Sequence, residues 1–381
     1  MGCSAPAEKA AVASPPPTFD LEQMVPVDEA IRAAVEAGDI PGAVLLVGAS
    51  PHTLYHKAYG HRAVQPETEQ MTHDTIFDLA SLSKVFSATA VMMLVDRGEV
   101  DVHAPVATYL PAFASNGKEA ITVEQLLLHR GGLAPANPLS DFEDGAEAGL
   151  ALIYNRGPRW EPGSRFAYTD VGYIVLGQLV EAVDGRPLDQ FTHEEIFKPL
   201  GMQATAYVPP EDWRQRIAPT QQRAGRWMRG EVHDPRAYAL GGVAGHAGLF
   251  STTEDLARFC QMILNGGVYG ETRILSSQIV ETMTTPHAMP DGSNSRSYVF
   301  DVDTGYSSSP RGDGFAVGST FGHTGFTGTS FWLDAKHKTY VILLTNRVHP
   351  DGNGRVAALR RAAANGAAAA IMATSEQAEK Q

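Results

Sequence analysis

Residues 77–84 read Phe-Asp-Leu-Ala-Ser-Leu-Ser-Lys and lead into a largely apolar run that ends at Gly98. This run predicts a long buried helix over 81–97, with Gly98 as its C-terminal stop. Positions i and i+3 of a helix share a face, so the Lys84 ammonium can reach the Ser81 hydroxyl. A serine hydroxyl is a weak nucleophile until a neighbour takes its proton. The stretch therefore makes Ser81 a candidate nucleophile at a helix N-terminus, where free N–H groups favour negative charge.

The same Ser-x-x-Lys spacing occurs again at Ser115 and Lys118. That copy encloses Asn-Gly, a turn sequence, and predicts a surface loop. Short motifs carry a high false-positive risk, so the spacing alone does not choose between the two copies. The helical context favours Ser81.

A second motif, Tyr168-Thr169-Asp170, stands at the start of a helix predicted over 170–183. A tyrosine is a poor base unless a nearby cation stabilises its phenolate, and Lys84 could supply that cation. Taken alone, a tyrosine that merely packs at a helix start is the better interpretation.

A third motif, Gly-His-Thr-Gly-Phe-Thr-Gly, occupies 322–328 just before a predicted strand. Glycines let a ligand approach the backbone closely. An N–H group at such a strand edge could form half of an oxyanion hole, which is worth roughly 3 kcal/mol per donor. The alternative is a glycine-rich turn with a solvated histidine.

Predicted strands lie at both ends of the chain, with predicted helices between them. The strands are 42–47, 53–59, 331–333 and 340–345; the helices are 27–37, 81–97, 123–128, 170–183, 254–264 and 357–372. This order predicts an α+β fold, in which one antiparallel sheet is assembled from both ends of the chain and flanked by helices, with a mostly helical lobe inserted. We expect a single two-lobed catalytic domain over 19–373, a flexible tail at 1–18 and a C-terminal tail at 374–381.

The composition excludes several classes of protein. The 381 residues are 43% hydrophobic and carry a formal net charge of −13, which argues against a nucleic-acid or anionic-membrane surface. The two cysteines, Cys3 and Cys260, do not make a disulfide framework. No apolar run reaches transmembrane length.

The N-terminal stretch leaves two interpretations open. Gly2-Cys3, followed by Ala/Pro/Ser-rich sequence to Pro17, fits the end of a bacterial lipoprotein signal whose apolar part was removed. Cys3 would then be lipidated and the following stretch would be a tether, which is the one case in which we expect membrane contact. The other interpretation is a disordered tail with an incidental cysteine. We expect a bacterial cell-envelope location, with a cytoplasmic one left open.

Two other classes of hydrolase lack their motifs here. An α/β-hydrolase needs Gly-x-Ser-x-Gly, and a zinc hydrolase of the common type needs His-Glu-x-x-His. Neither motif occurs. We therefore expect no metal and no cofactor.

The three motifs in this order resemble the serine β-lactamase and penicillin-binding protein superfamily, over about 27–370. The stretches 126–133 (Leu-Leu-Leu-His-Arg-Gly-Gly-Leu) and 161–163 (Glu-Pro-Gly) add to the resemblance. The chain looks most like the class C β-lactamase-like branch, which includes DD-peptidases, family VIII carboxylesterases and D-aminopeptidases. The stretch 238–251 resembles penicillin-binding protein type 4B.

The resemblance implies a β-lactamase/transpeptidase-like fold and a role for each motif residue. Ser81 would be the nucleophile, and Lys84 would accept or relay its proton. Tyr168 would act as general base or acid near the leaving group. The backbone N–H groups of Ser81 and Phe326 would form the oxyanion hole.

Two positions depart from the family pattern. Asp170 stands where asparagine is usual, and a carboxylate there favours the ammonium form of Lys84. Lys84 then becomes the cation that activates Tyr168 rather than the free base. His323 replaces the usual lysine, and a histidine is mostly neutral at pH 7. This lowers the expectation of efficient β-lactamase activity and leaves room for ester or peptide substrates.

The resemblance also implies residues that contact the substrate. Asp170, His323, Thr324 and Gly325 would line the cleft, and His246 would either form a cleft wall or hold a loop. The segments 135–154 and 289–317 are expected to flank the entrance, where loops set specificity.

We therefore predict a serine hydrolase that forms an acyl-enzyme on Ser81. Its substrate would be a small ester, a D-amino-acid peptide such as a peptidoglycan peptide, or an amide, with weak β-lactamase activity possible. The alternative is a penicillin- or peptidoglycan-binding scaffold that is acylated without turnover.

Overall fold

The computed structural model describes residues 18–378. Its strands are β1 Gly42–Ala49, β2 His52–Ala63, β3 Glu69–Gln70, β4 Phe77–Asp78, β5 Ala206–Tyr207, β6 Gln222–Arg223, β7 Arg226–Trp227, β8 Leu249–Ser251, β9 Val268–Tyr269, β10 Thr272–Arg273, β11 Ser295–Arg296, β12 Asp301–Asp303, β13 Thr320–Thr324, β14 Ser330–Asp334 and β15 Thr339–Thr345. Its α-helices are α1 Val25–Glu36, α2 Ser83–Asp96, α3 Val123–Leu127, α4 Ala146–Asn155, α5 Asp170–Asp184, α6 Leu188–Thr192, α7 Lys198–Leu200, α8 Pro235–Ala239, α9 Thr253–Leu264, α10 Ser277–Thr284, α11 Ser308–Arg311 and α12 Ala357–Ala378.

The largest sheet joins the two ends of the described chain. Its spatial order is β11-β12-β13-β14-β15-β1-β2-β3. Neighbouring strands are antiparallel, and β1 pairs with both β2 and β15. The part of the chain between β3 and β11 holds α2 to α10 and strands of two or three residues. The predicted sheet and its inserted helical lobe are confirmed.

Alternation along β1 places apolar side chains on both faces of this sheet. Ala43, Leu45 and Val47 pack in one core with α1 and α12, whereas Val44 and Leu46 pack in the core that contains α2. The sheet therefore lies between a two-helix layer and the helical lobe.

Helix α2 runs through the larger core and is buried at every residue from Ser83 to Leu94. A helix that is apolar on all sides belongs in a protein interior. The prediction started this helix at Ser81, but Ser81 lies in a single 3-10 turn, Ala80–Leu82, that precedes it. The Asp78 carboxylate accepts the Ala80 N–H at 2.8 Å, and Ala80 has a φ of 47°, so the chain turns sharply before the α-helix begins.

The structure tests the predictions for the C-terminal helix but not those for the N-terminal tail. Helix α12 continues to Ala378, beyond the predicted end at 372. Cys3 and the rest of 1–17 lie outside the described residues, so the lipidated tether stays a prediction, as does the division into a 19–373 domain with tails. Among the described residues, no helix combines the length and hydrophobicity that crossing a membrane requires.

Candidate active site

Lys84 lies at the centre of the candidate site, and its side chain is fully buried. Its Nζ donates to Ser81 Oγ at 3.1 Å, to Asp170 Oδ1 at 2.7 Å and to the backbone oxygen of His246 at 3.1 Å. An ammonium has three N–H donors, and these contacts use all three. Helix α5 supplies Asp170 and the segment before β8 supplies His246, so three distant parts of the chain meet at Lys84.

The ion pair between Lys84 and Asp170 fixes the charge of both groups. Burial is the largest single effect on the pKa of Lys84 and would lower it, but the charge and hydrogen bonding of Asp170 and Tyr168 together outweigh burial and raise this pKa. Burial alone would raise the pKa of Asp170, and the effects of Lys84 and His246 together keep it below its ordinary value. At neutral pH the pair is therefore an ammonium and a carboxylate, as the sequence predicts.

Tyr168 stands directly before helix α5 and beside the lysine. The Lys84 Nζ lies 5.0 Å from the centre of its ring. The ring packs between His129 and Tyr306, at centroid distances of 4.4 and 5.1 Å. The next residue, Thr169, caps α5 with its side chain and donates its backbone N–H to His129 Nδ1 at 3.1 Å. The orientation of Tyr168 is thus set by the start of the helix and by two rings.

The end of β13 lies against the turn that carries Ser81. Thr329 Oγ1 donates to the backbone oxygen of Leu79 at 3.0 Å. A Cβ at Gly325 would lie 2.3 Å from the same oxygen, so only glycine permits this approach. The contact brings the backbone of Gly325 and Phe326 beside Ser81.

His323 is buried and neutral. Its Nδ1 lies 2.9 Å from the Thr324 carbonyl oxygen, which only accepts, so Nδ1 carries the proton. Its Nε2 is buried without a partner among the described residues. Burial, followed by the charges of Arg296 and Lys84, holds the pKa of His323 well below its ordinary value. An uncharged ring therefore occupies the position where the resemblance to the family leads us to expect a lysine.

Two adjoining cavities meet at Ser81, and Ser81, Tyr168 and Phe326 line both. The arginine cavity, of about 280 Å³, is lined by Ser81, Tyr168, Asp301, Tyr306, His323, Thr324, Gly325, Phe326, Arg347 and Arg360. The aspartate cavity, of about 350 Å³, is lined by Ala80, Ser81, Tyr168, Asp170, His233, Asp234, Pro235, His246, Ala247 and Phe326. The structure thus brings together the residues that the sequence predicted for the site. All of them line these cavities except Lys84, which is buried and hydrogen-bonded to Ser81 and Asp170.

Of the two segments predicted to flank the entrance, one lines a cavity at Ser81 and the other does not. The segment 289–317 contributes Asp301 and Tyr306 to the arginine cavity. The segment 135–154 supplies none of the residues that line the two cavities. It lies behind the start of α5 instead, where the Pro135 carbonyl accepts the Asp170 N–H at 2.8 Å.

Several residues of the site stand in no recognisable motif, and sequence reasoning missed them. Asp234 accepts a hydrogen bond from His246 Nε2 at 2.9 Å, and Arg296, which is 1% exposed, binds Asp301 at 3.2 Å. Arg347 lies over the Phe326 ring at 4.5 Å. Isolated arginines and aspartates are common in any sequence, so no local signal marks them.

The second Ser-x-x-Lys copy has a structural role. Lys118 is buried rather than displayed on a surface loop, because its Nζ donates to the backbone oxygens of Ser115 and Tyr154 at 2.8 and 2.7 Å. The Ser115 hydroxyl donates to the same Tyr154 oxygen at 2.7 Å. Neither residue lines the cavities at Ser81. Lys118 therefore stabilises the loop around Ser115 by binding its backbone to that of Tyr154.

Comparison with known proteins places this site in a family. A family model described as Beta-lactamase matches residues 27–366. A relative from Escherichia coli O157:H7, named "Putative D-alanyl-D-alanine carboxypeptidase", is 32% identical over 372 residues, covering 87% of this chain and 84% of the relative. A relative of the same name from Salmonella typhi is 31% identical over 378 residues, covering 89% of this chain and 86% of the relative.

Solved structures share the fold at lower identity. A penicillin-binding protein homologue from Caulobacter crescentus has a TM-score of 0.73 at 21% identity, covering 92% of this chain and 98% of its own. A family VIII carboxylesterase has a TM-score of 0.69 at 23% identity, covering 90% of this chain and 97% of its own. The family match, the relatives and the shared fold together show that this chain belongs to the β-lactamase family and is a serine hydrolase.

Proposed function

We propose that the chain hydrolyses peptides ending in D-alanyl-D-alanine through an acyl-enzyme on Ser81. The observation that carries this proposal is the 3.1 Å hydrogen bond between Lys84 Nζ and Ser81 Oγ at the junction of the two cavities. The names of the relatives support the peptide substrate. They also support a location in the bacterial cell envelope, which we propose for this chain.

Tyr168 is the proposed base, and Lys84 supplies the positive charge that makes its phenolate accessible. The phenolate takes the Ser81 proton while Oγ forms a bond to the scissile carbonyl carbon. When the C–N bond breaks, Tyr168 returns that proton to the leaving amine. A water then attacks the Ser81 ester, and Tyr168 passes the proton of this water back to Oγ.

The backbone N–H groups of Ser81 and Phe326 are the proposed oxyanion donors. The first hydrogen bond of the 3-10 turn runs from the Leu82 N–H to Leu79 at 3.1 Å. N–H groups ahead of such a first bond have no acceptor within the turn. Because both donors are backbone groups at a fixed junction, they need no rearrangement as charge develops on the carbonyl oxygen.

The arginine cavity is the proposed site of the leaving residue, whose free carboxylate needs a cation. Arg360 Nη2 donates to the carbonyl oxygens of Gly325 and Thr329, and Arg347 Nε donates to that of Phe326. A guanidinium has five N–H groups, so both arginines keep donors for a carboxylate. Burial lowers the pKa of Arg360 to about 9, which leaves it charged at pH 7. The arginines would thus supply the charge that the neutral His323 lacks.

An esterase is the second candidate function. Phe326 and Tyr306 are 61% and 52% exposed and line the arginine cavity, so they offer apolar surface to the alkyl part of an ester. The neutral His323 favours an uncharged substrate as well. The family VIII carboxylesterase shares the fold.

A parallel hydrolysis panel tests the proposal, with diacetyl-L-Lys-D-Ala-D-Ala, short nitrophenyl esters and nitrocefin as substrates. We expect release of D-alanine from the peptide, and we expect Ser81→Ala to abolish it because no acyl-enzyme forms. The matched control is Ser115→Ala, which removes the serine of the structural Ser-x-x-Lys copy and should leave kcat unchanged.

Three outcomes would count against parts of the proposal. Hydrolysis that survives in Ser81→Ala would refute the nucleophile. Turnover of esters without release of D-alanine would refute the peptidase and support the esterase function. Stable labelling of Ser81 by a fluorescent penicillin, with no hydrolysis of any substrate, would point to the non-hydrolysing scaffold.

A further inference from the structure

Asp78 stands three residues before the proposed nucleophile and has no part in the proposed chemistry. Its side chain is 2% exposed and lines neither cavity at Ser81. Carboxylates are rarely buried in proteins unless their oxygens are paired, because burial penalises the charge. The partners of this carboxylate therefore indicate what it does beside the site.

Both oxygens of the Asp78 carboxylate accept backbone N–H groups. Oδ1 accepts the Ala80 N–H at 2.8 Å, and Oδ2 accepts the His233 N–H at 2.7 Å. Ala80 and Ser81 line the aspartate cavity from the 3-10 turn, whereas His233 lines it from a segment 155 residues after Asp78. The carboxylate therefore joins the turn that carries the nucleophile to another part of the cavity wall.

The turn that carries Ser81 requires such support. Ala80 has a φ of 47°, in the left-handed region that residues other than glycine rarely adopt. Strained backbone of this kind persists only where surrounding contacts hold it, and it is concentrated at functional sites. The hydrogen bond from the Ala80 N–H to Asp78 is one such contact. It acts one residue before the Ser81 N–H, which is a proposed oxyanion donor.

The second proposed oxyanion donor, the Phe326 N–H, is linked to the same residue. Thr327 Oγ1 donates to the Asp78 backbone oxygen at 2.7 Å. The His233 ring stacks on the Phe326 ring at a centroid distance of 5.7 Å, and Asp78 holds the His233 backbone. The pairing of β4 with β8, in which Asp78 lies opposite Phe250, anchors Asp78 itself. Contacts of one residue thus reach the segments of both donors.

The surroundings of Asp78 place its titration near neutral pH. Burial raises the pKa of Asp78 to about 6, against the lowering effect of the two N–H groups that it accepts. The negative charge of Asp234 adds to the rise, and the positive charge of Arg223 opposes it. His233 has a pKa lowered by burial, so its ring is neutral at pH 7. Asp78 is therefore mostly a carboxylate at pH 7.5 and mostly protonated at pH 5.5.

We propose that Asp78 is a positioning residue that holds the two oxyanion donors in place only while it is a carboxylate, an inference that rests on the proposed acyl-enzyme at Ser81. A carboxylate offers one acceptor to each N–H group, and hydrogen bonds to a charged acceptor are about twice as strong as neutral ones. Protonation turns one oxygen into an O–H donor, which faces an N–H group that also donates. The bond to Ala80 or to His233 is then weakened, and the site loosens.

The rate at which a fluorophosphonate probe labels Ser81 tests this inference, with the labelled residue identified by mass spectrometry. Asp78→Asn keeps the shape of the side chain but carries an NH₂ group in place of one acceptor. We expect labelling at pH 7.5 to be at least about tenfold slower in this variant, since the loss of one oxyanion donor costs about 10²–10³ in rate. A rate equal to that of the unmodified chain would overturn the inference.

The pH profile of labelling separates positioning by a charged group from a purely structural role. A group with a pKa of about 6 is about one quarter ionised at pH 5.5, so Asp78 should slow labelling about fourfold between pH 7.5 and 5.5. In Asp78→Asn the fall in rate should be smaller by about that factor. An equal fall in both proteins would overturn the inference.

Asp74→Asn is the matched control for both measurements. It makes the same charge change four residues earlier in the chain, on a side chain that is 57% exposed and lines neither cavity. We expect this variant to keep the labelling rate and the pH profile of the unmodified chain. Circular dichroism checks the fold of both variants.

Amide hydrogen exchange in the unmodified chain is a second test, which decides the matter if Asp78→Asn does not fold. After correction for the intrinsic exchange rate, the Ala80 and His233 N–H groups should lose protection between pH 7.5 and 5.5. The Ala218 N–H donates to the Ile76 carbonyl oxygen at 2.9 Å, an acceptor that does not titrate, and it should keep its protection. Protection that stays constant, or that falls equally at all three groups, would overturn the inference.

The inference and the proposed function can fail separately. If the probe does not label Ser81 of the unmodified chain, the proposed nucleophile is refuted, and the inference with it. Labelling of Ser81 at equal rates in the unmodified chain and in Asp78→Asn would support the proposed function and overturn only the inference.

Discussion

The ammonium of Lys84 lies 3.1 Å from the Ser81 hydroxyl and 2.7 Å from a carboxylate oxygen of Asp170. The shorter contact is with the group of opposite charge, and that charge raises the pKa of Lys84 against the effect of burial. A lysine that stays protonated cannot take the proton of Ser81. It can stabilise a phenolate, and the ring of Tyr168 lies 5.0 Å away. The proton assignment thus depends on one carboxylate.

The Asp170→Asn variant separates the two proton assignments. Asparagine keeps an acceptor for Lys84 but removes the charge, so burial dominates and the pKa of Lys84 falls. If Lys84 must stay charged to activate Tyr168, the alkaline limb of kcat/KM moves to lower pH in the variant. The pH profile of nitrophenyl ester hydrolysis from pH 5 to 10 measures this, and a shift of one unit corresponds to about 1.4 kcal/mol.

A shift of the acidic limb instead of the alkaline limb would identify Lys84 as the base. In that case the rise of kcat/KM with pH would begin at lower pH in Asp170→Asn, because the free amine would form earlier. Glu147→Gln is a suitable control, since it removes a carboxylate that lines neither cavity.

Single residues could be predicted from the sequence only where a motif carried them. Ser81, Lys84 and Tyr168 stand in short patterns whose spacing has a physical meaning on a helix. Asp234 and Arg296 reach the site from segments far away in the chain, and their type and spacing carry no signal. The full burial of Lys118, in a copy of the same motif, shows that spacing does not reveal what surrounds a lysine.

At the level of elements, the end of β13 holds the site together. Thr327 and Thr329 donate to the backbone oxygens of Asp78 and Leu79 at 2.7 and 3.0 Å. These bonds fix the turn after β13 to the segment just before Ser81. Both proposed oxyanion donors depend on this junction, because one N–H belongs to each side of it.

Gly325→Ala tests the junction. The added Cβ would lie 2.1 Å from Thr329 Oγ1 and 2.3 Å from the Leu79 oxygen, so the end of β13 must move away from Ser81. We expect kcat to fall about 10²-fold or more, as it does when one oxyanion donor is lost. Steady-state kinetics, with circular dichroism as a check of the fold, measures the effect.

Gly305→Ala is the matched control, since a Cβ at Gly305 meets nothing within 4 Å. It should retain kcat. Equal activities of the Gly325 and Gly305 variants would show that the contact between β13 and Leu79 does not position the donors.

The main elements could be predicted from hydrophobic patterns, and their details could not. The predicted helices 170–183 and 254–264 correspond to Asp170–Asp184 and Thr253–Leu264. Strands of two residues, such as Phe77–Asp78, have no periodicity to detect and exist because β8 pairs with them. The 3-10 turn at Ser81 arises from a side-chain contact of Asp78, which a pattern of apolar residues does not encode.

The molecule as a whole buries several histidines in their neutral form. Burial is the largest cause that lowers the pKa of His56, His129, His233, His287, His323 and His349. A group whose folded pKa lies below its unfolded value makes the folded state lose stability as pH falls through the unfolded pKa, near 6.5. Asp78 acts in the opposite direction, because burial raises its pKa to about 6.

The free energy of unfolding should therefore fall between pH 7.5 and 5.5. His129 and His323 are 1% and 4% exposed with strongly lowered pKa values, so each contributes about 1.4 kcal/mol at one pH unit below 6.5. Carboxylates paired with cations add to the loss mainly below pH 5, outside this window. Urea unfolding at pH 7.5, 6.5 and 5.5 measures the slope, and a flat or rising stability would contradict the prediction.

His129→Asn tests the origin of that slope. Asparagine can accept the Thr169 N–H in place of Nδ1, and it suits the φ of 56° at this position. The variant loses ring contacts and hence stability at every pH, but the difference between pH 7.5 and 5.5 should shrink by about 1.4 kcal/mol. His103→Gln, on a side chain that is 70% exposed, should leave the difference unchanged. If both variants kept the full slope, His129 would not be its source, and the lost stability would have to come from the other buried histidines.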